Sequence, residues 1–173
     1  MPIVIMFVLL FSQPSGAALF DLAPRDVPYF ASDTAFTGQS GQHLLSEYRG
    51  HKVMLWLFST WCHTCVAGIK VMQDNQVFWK QSGLIILAVR NRNNGGYPGL
   101  KMPDFIKKIA PQLLQEPNWV TGEASAEMAQ QYNARQFPDI YYLIDEQGQV
   151  QTVSTAPTAT LQKIKQFAGG ISQ

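Results

Sequence analysis

Three stretches of the chain are apolar throughout or nearly so: "VMLWLF" (53–58), "GLIILAV" (83–89) and "DIYYLID" (139–145). Each is short and bounded by turn-forming residues, the pattern of a strand buried on both faces of a sheet. Between them the spacing changes. Val66, Ile69 and Met72 recur every third residue and Val77 and Phe78 continue the face, which predicts a helix over 63–80, weakened by Gly68. Pro103 can open a second helix through Asp104, Phe105, Ile106 and Ile109. "NWVT" (118–121) suits a short strand, and Glu123 to Tyr132 a helix with Ala124, Met128 and Tyr132 on one side. "QVQTV" (149–153) returns antiparallel after the turn Asp145 to Gly148. A last helix carries Leu161, Ile164 and Phe167 inward, with Lys163 and Lys165 outside. Ahead of the first strand, Phe36 to Leu45 contains Gly38 and Gly41 and reads as a hairpin, and "EYRGHK" (47–52) as a polar turn. The order β-α-β-α-β-β-α predicts an α/β domain, a central mixed sheet with helices on both faces. No internal repeat or second domain is visible.

Composition narrows the class. With 46% hydrophobic and 14% charged residues in 173, the chain can bury a core and is not a disordered one. A net charge of +1, with no basic run, speaks against nucleic acid as a partner. The first residues differ from the rest. "MPIVIMFVLLFSQPSGAALF" has an apolar run from Ile3 to Phe11, shorter than the about 20 residues of a membrane span. It suits the core of a secretory signal, with small residues at 15–18 for cleavage near Ala17 or Ala18. Residues 1–18 are therefore expected to be a signal peptide or an anchor fragment, and 19–173 one domain, opened by a Pro- and Asp-rich lead-in. An exported, periplasmic protein would meet oxidising conditions, where two cysteines can exist as a disulfide.

The chain has two cysteines, and "WCHTC" (61–65) holds both. A zinc site wants about four ligands, and His43, His51 and His63 do not stand at metal spacing. Haem attachment wants His after the second cysteine, where Val66 stands. No metal or other cofactor is called for. A structural staple across so small a loop gains little in a domain of this size. A redox pair fits the position, because Cys62 falls where a buried strand ends and a helix begins. There the free N–H groups and the helix dipole favour a thiolate. Cys62 is thus expected to be the nucleophile, and Cys65, one turn further in, the resolving thiol.

The stretch "EYRGHKVMLWLFSTWCHTC" resembles the approach to the active site of thioredoxin-like proteins, and in particular the exported TlpA/DsbE-like branch. That branch includes the thioredoxin-like domain attached to some methionine sulfoxide reductases. Gly50 and Lys52, the strand 53–58 and Trp61 to Cys65 carry the likeness. "YNARQFPDIYYLIDEQGQV" adds a proline just before a strand. The resemblance covers roughly residues 30–168. It implies the thioredoxin fold, a Cys62–Cys65 disulfide in the oxidised form, and a cis peptide bond at Pro138. It also implies protein disulfides as substrates and a membrane thiol carrier as electron donor, for a protein acting as a monomer. Two departures stand out. The branch has Glu three residues after the second cysteine, where this chain has Gly68. Classical thioredoxins have Asp six residues before the first cysteine, where this chain has Trp56.

Around the pair, Trp61 is the candidate shield over the disulfide and part of a substrate platform, with plain core packing as the alternative. Phe137 would narrow the groove beside Pro138. His63 and Thr64 are the candidates for tuning Cys62. The loop 90–102 either shapes partner choice or is a solvated insertion. Two readings of another kind remain. A thioredoxin-like binding module, a chaperone or copper carrier, would keep the pair with little turnover. A peroxiredoxin would want Pro where Leu55 stands.

Overall fold

The computed structural model describes residues 27–170. The expected signal segment, and most of the lead-in, lie outside the described residues. Among the described residues eight strands form one sheet in the order β1-β8-β7-β4-β5-β6-β2-β3. The centre is β4 (Val53–Phe58), parallel to β5 (Ile85–Arg90) and antiparallel to β7 (Asp139–Ile144). β6 (Trp119–Ala124) lies parallel to β5. The hairpin β2 (Ala35–Gly38) and β3 (Gly41–Leu44) closes one edge. β8 (Gln149–Ser154) and the short β1 (Tyr29–Phe30) close the other.

The continuous apolar runs are explained by what covers them. Met54, Trp56 and Phe58 of β4 face one side, under α1 (His63–Asp74), α3 (Met102–Ile109) and α5 (Leu161–Gly169). Val53, Leu55 and Leu57 face the other, with Met128 and Tyr132 of α4 (Ala126–Asn133). All six residues of β4, like all six of β7, are buried, so neither strand shows alternation. Among the described residues no helix is long and apolar enough to cross a membrane.

Two helix boundaries differ from the pattern. The helix expected over 63–80 is two, α1 and α2 (Gln76–Ser82). Asn75 breaks it at φ −109° and ψ 14°, and its side-chain amide donates to the Val71 carbonyl at 2.8 Å. This is an alternative to the helical ladder that Asn readily offers. The helix expected from Glu123 starts at Ala126. Ser125 is its N-cap, accepting from the Met128 amide at 3.0 Å, while Glu123 and Ala124 belong to β6.

Candidate active site

Cys62 and Cys65 form a disulfide, with their Cα atoms 5.2 Å apart. β4 ends at Phe58, four residues before Cys62, and Cys62 is the N-cap of α1. Its Sγ accepts the Cys65 amide at 3.3 Å, an N–H of the first helical turn that it shares with the Cys62 carbonyl at 3.1 Å. The Thr64 hydroxyl lies 3.1 Å from the same sulfur. Cys62 retains 5% exposure and Cys65 none, so the order of accessibility is that expected from the sequence. His63, the first residue of α1, is exposed.

The segment after β5 is tied to the active-site turn through Asn94, while most of its residues from Arg92 to Lys101 are exposed. Residues Arg92–Gly96 form a tight turn in which Asn93, Asn94 and Gly95 all adopt left-handed φ (51°, 55° and 66°). Asn94 is buried in it. Its Oδ1 accepts from the Thr60 amide at 2.8 Å and the Thr60 hydroxyl at 3.1 Å. Its carbonyl accepts from Trp61 Nε1 at 2.8 Å, and Tyr97 meets the Trp61 ring edge-on at 5.0 Å. Trp61 is therefore held by this loop at the rim, with 39% of its surface exposed, and is not core. Asn94→Ala should lower stability by about 1–3 kcal/mol, because it orphans the Thr60 amide. It also puts a less tolerant residue at positive φ. Urea unfolding gives the first quantity; faster hydrogen exchange at the Thr60 amide locates it.

Pro138 lies beside the pair, with its carbonyl accepting from the Ser59 amide at 2.9 Å and 3.6 Å from Cys65 Sγ. The cis bond expected there is not found. Among the described residues the cis X–Pro bond is Val27–Pro28. The chain turns into β7 by other means. Gln136 takes a left-handed φ of 56°, and the Phe137 backbone is gripped on both sides. Asn133 Oδ1 accepts the Phe137 amide at 2.8 Å, and the amide groups of Asn133 and Asn91 donate to its carbonyl at 2.8 and 3.0 Å. Asn133 also donates to Asn91 Oδ1 at 2.7 Å, and Asn91 to the Ser59 hydroxyl at 2.9 Å. Both asparagines are buried, so the ends of β4 and β5, α4 and the Phe137 turn are tied through one polar network. The Phe137 ring remains 38% exposed.

Beneath α1 lies a second buried polar group. Asp139 accepts from Trp56 Nε1 at 2.6 Å and from the Ala156 amide at 2.9 Å. Burial pushes its carboxyl above the ordinary aspartate value, and these two bonds pull it partly back. Trp56 in turn fills the space under Gly68. A Cβ on Gly68 would lie 2.9 Å from the indole ring.

Sequence reasoning thus singled out Cys62, Cys65, Thr64, Trp61 and Pro138, which the fold brings together. It passed over Asn91, Asn94, Asn133 and Asp139. One available signal was Asn91, immediately after the parallel strand β5. The carboxyl ends of such strands are where α/β sheets build sites.

No protein-family model matches the chain. A thiol-disulfide oxidoreductase ResA of Geobacillus kaustophilus (strain HTA426) is 28% identical over 162 residues, 93% of this chain and 82% of that one. The ResA of Geobacillus thermodenitrificans (strain NG80-2) is 27% identical, with the same coverage of 93% and 82%. Among solved structures, a Chlorobium tepidum protein assigned as a thiol:disulfide interchange protein DsbE superposes with a TM-score of 0.64 at 22% identity. The match spans 83% of this chain and 99% of that one.

Proposed function

We infer, for a chain that belongs to the thioredoxin-like superfamily and to its TlpA/DsbE-like branch, a thiol–disulfide oxidoreductase that reduces selected protein disulfides outside the cytoplasm. The observation that carries the reading is the Cys62 sulfur at the N-terminus of α1, paired with a fully buried Cys65.

In the reduced protein the Cys62 thiolate attacks one sulfur of a substrate disulfide. A mixed disulfide forms and one substrate thiolate leaves. Cys65 then attacks Cys62 Sγ, the mixed bond breaks, and the second substrate thiolate departs. The Cys62–Cys65 disulfide is left behind, and two electrons have passed to the substrate. A thiol donor, for which a membrane carrier is the natural source, returns them. The α1 N–H groups and the Thr64 hydroxyl stabilise the Cys62 thiolate, and His63 adds positive charge when protonated.

Trp61, Tyr97 and Phe137 expose apolar surface, which suits contact with another protein more than with a small thiol. The Pro138 turn stands at the side of the pair where a substrate segment would lie.

The test is capture. Cys65→Ser, expressed in a native host, should accumulate substrates disulfide-bonded to Cys62. These appear as species on non-reducing gels that reductant dissolves. If this variant captures nothing that wild type does not, the reductase reading fails.

A further inference from the structure

We propose that Asp139 receives the Cys65 proton when the mixed disulfide is resolved, an assignment that rests on the exchange reaction described above. Cys65 must be a thiolate to attack, yet it is wholly buried, and burial disfavours the charged form. A nearby base has to take the proton. Trp56 and Gly68 offer none.

The alternation of β7 puts Asp139, Tyr141 and Leu143 on the face that α1 covers, and Ile140, Tyr142 and Ile144 on the opposite one. Asp139 pairs with Phe58, at the end of β4 from which the Cys62 turn departs. The preceding residue, Pro138, places its carbonyl oxygen 3.6 Å from Cys65 Sγ. The carboxyl is fixed but not neutralised. Trp56 holds one oxygen and the Ala156 amide the other, and among the described residues none of the ion pairs involves it.

The titratable groups on the elements packed around it are few. Cys65 comes from α1 and Tyr141 from β7, the latter with its hydroxyl on Thr160 at 2.7 Å. Met54, Trp56 and Phe58 of β4 and residues 155–160 contribute none. His63, Lys70 and Asp74 of α1 are exposed. Burial raises the Asp139 carboxyl above its ordinary value, which makes it a better proton acceptor than an exposed aspartate, and the bonds from Trp56 and the Ala156 amide offset part of that rise.

The step balances. The Cys65 S–H bond breaks and its proton goes to the Asp139 carboxylate. The sulfur's electron pair forms the bond to Cys62 Sγ, and the pair of the mixed disulfide leaves on the substrate sulfur. That thiolate, or solvent, then takes the proton from Asp139.

Stopped-flow mixing of the reduced full chain with dithiobis(nitrobenzoate) separates the two events. Attack by Cys62 releases one thionitrobenzoate, and resolution by Cys65 releases the second. Asp139→Asn should leave the first phase in place and slow the second at least about tenfold near neutral pH, with its acid-side inflection lost. Trp56→Phe keeps the acid but removes a donor to the carboxylate, so the inflection should move to higher pH. A purely structural role would not move it. An unchanged second phase in Asp139→Asn overturns the assignment, and so does equal slowing of both phases. If wild type itself shows no second phase, the exchange reading fails, and that outcome is distinct from either.

Discussion

Cys62→Ser abolishes disulfide exchange, by at least about a thousandfold in turnover of a peptide disulfide, without unfolding the protein. The helix end cannot compensate for the change of atom. A helix N-terminus stabilises a charge by about 0.3–1 kcal/mol, and by about 2 kcal/mol at best. That is no more than roughly 30-fold in ionisation, since 1.36 kcal/mol is tenfold. It is far short of what would make a serine hydroxyl a nucleophile for sulfur. The capping role survives the substitution, because Ser Oγ accepts a first-turn amide as Sγ accepts that of Cys65. Reduced wild type and the variant should therefore unfold at similar urea concentrations. Limited alkylation of the reduced wild type at neutral pH, followed by peptide mapping, should label Cys62 well before Cys65. Preferential labelling of Cys65 would reverse the assigned roles, and residual exchange in Cys62→Ser would remove the nucleophile from this position.

What could be read from the chain follows from what burial does to a pattern. β4 and β7 lie under cover on both sides, so "VMLWLF" and "DIYYLID" announce themselves as unbroken runs. The cysteine pair was legible because it directly follows one of them. The helix start at Glu123 was misread for a specific reason. Glu123 lies beside Thr37 in the β2–β6 ladder, and its carboxylate pairs with Arg90 across the parallel strands. A tertiary ion pair holds in the sheet a residue whose local spacing suggested a helix. Asn133 and Asp139 were invisible for a related reason, and Asn91 was marked only by its place after β5. A buried polar side chain looks like a surface one until its partners are known, and those partners lie 46, 42 and 83 positions away in the chain. The isomer at Pro138 is likewise not a local property. The turn there is set by Gln136 and by the grip of Asn133 on Phe137, from α4.

Gly68→Glu, which supplies the acid that the sequence resemblance leads one to expect, should destabilise the protein by more than about 3 kcal/mol. Two effects compete at this position. Replacing a helical glycine gains up to about 1 kcal/mol in backbone entropy and propensity. Against this, a Cβ at residue 68 would sit 2.9 and 3.0 Å from two carbons of the Trp56 ring. That ring cannot retreat. It is fully buried, bonded through Nε1 to Asp139 and tilted against Phe58 with centroids 4.4 Å apart. Overpacking of this kind costs about 1–3 kcal/mol, so the smaller change Gly68→Ala should already be net destabilising by about 1–2 kcal/mol. Glutamate adds a carboxylate that must be desolvated beside the indole or must push α1 outward. Urea unfolding of reduced protein measures both variants. A double-mutant cycle with Trp56→Leu should recover part of the Gly68→Ala loss, because the smaller side chain vacates the space that the Cβ needs. Stabilisation by Gly68→Ala would mean that propensity wins and Trp56 yields. In that case the ring is not what excludes a side chain from the first turns of α1, and the use of a strand-borne acid in place of a helix-borne one needs another cause.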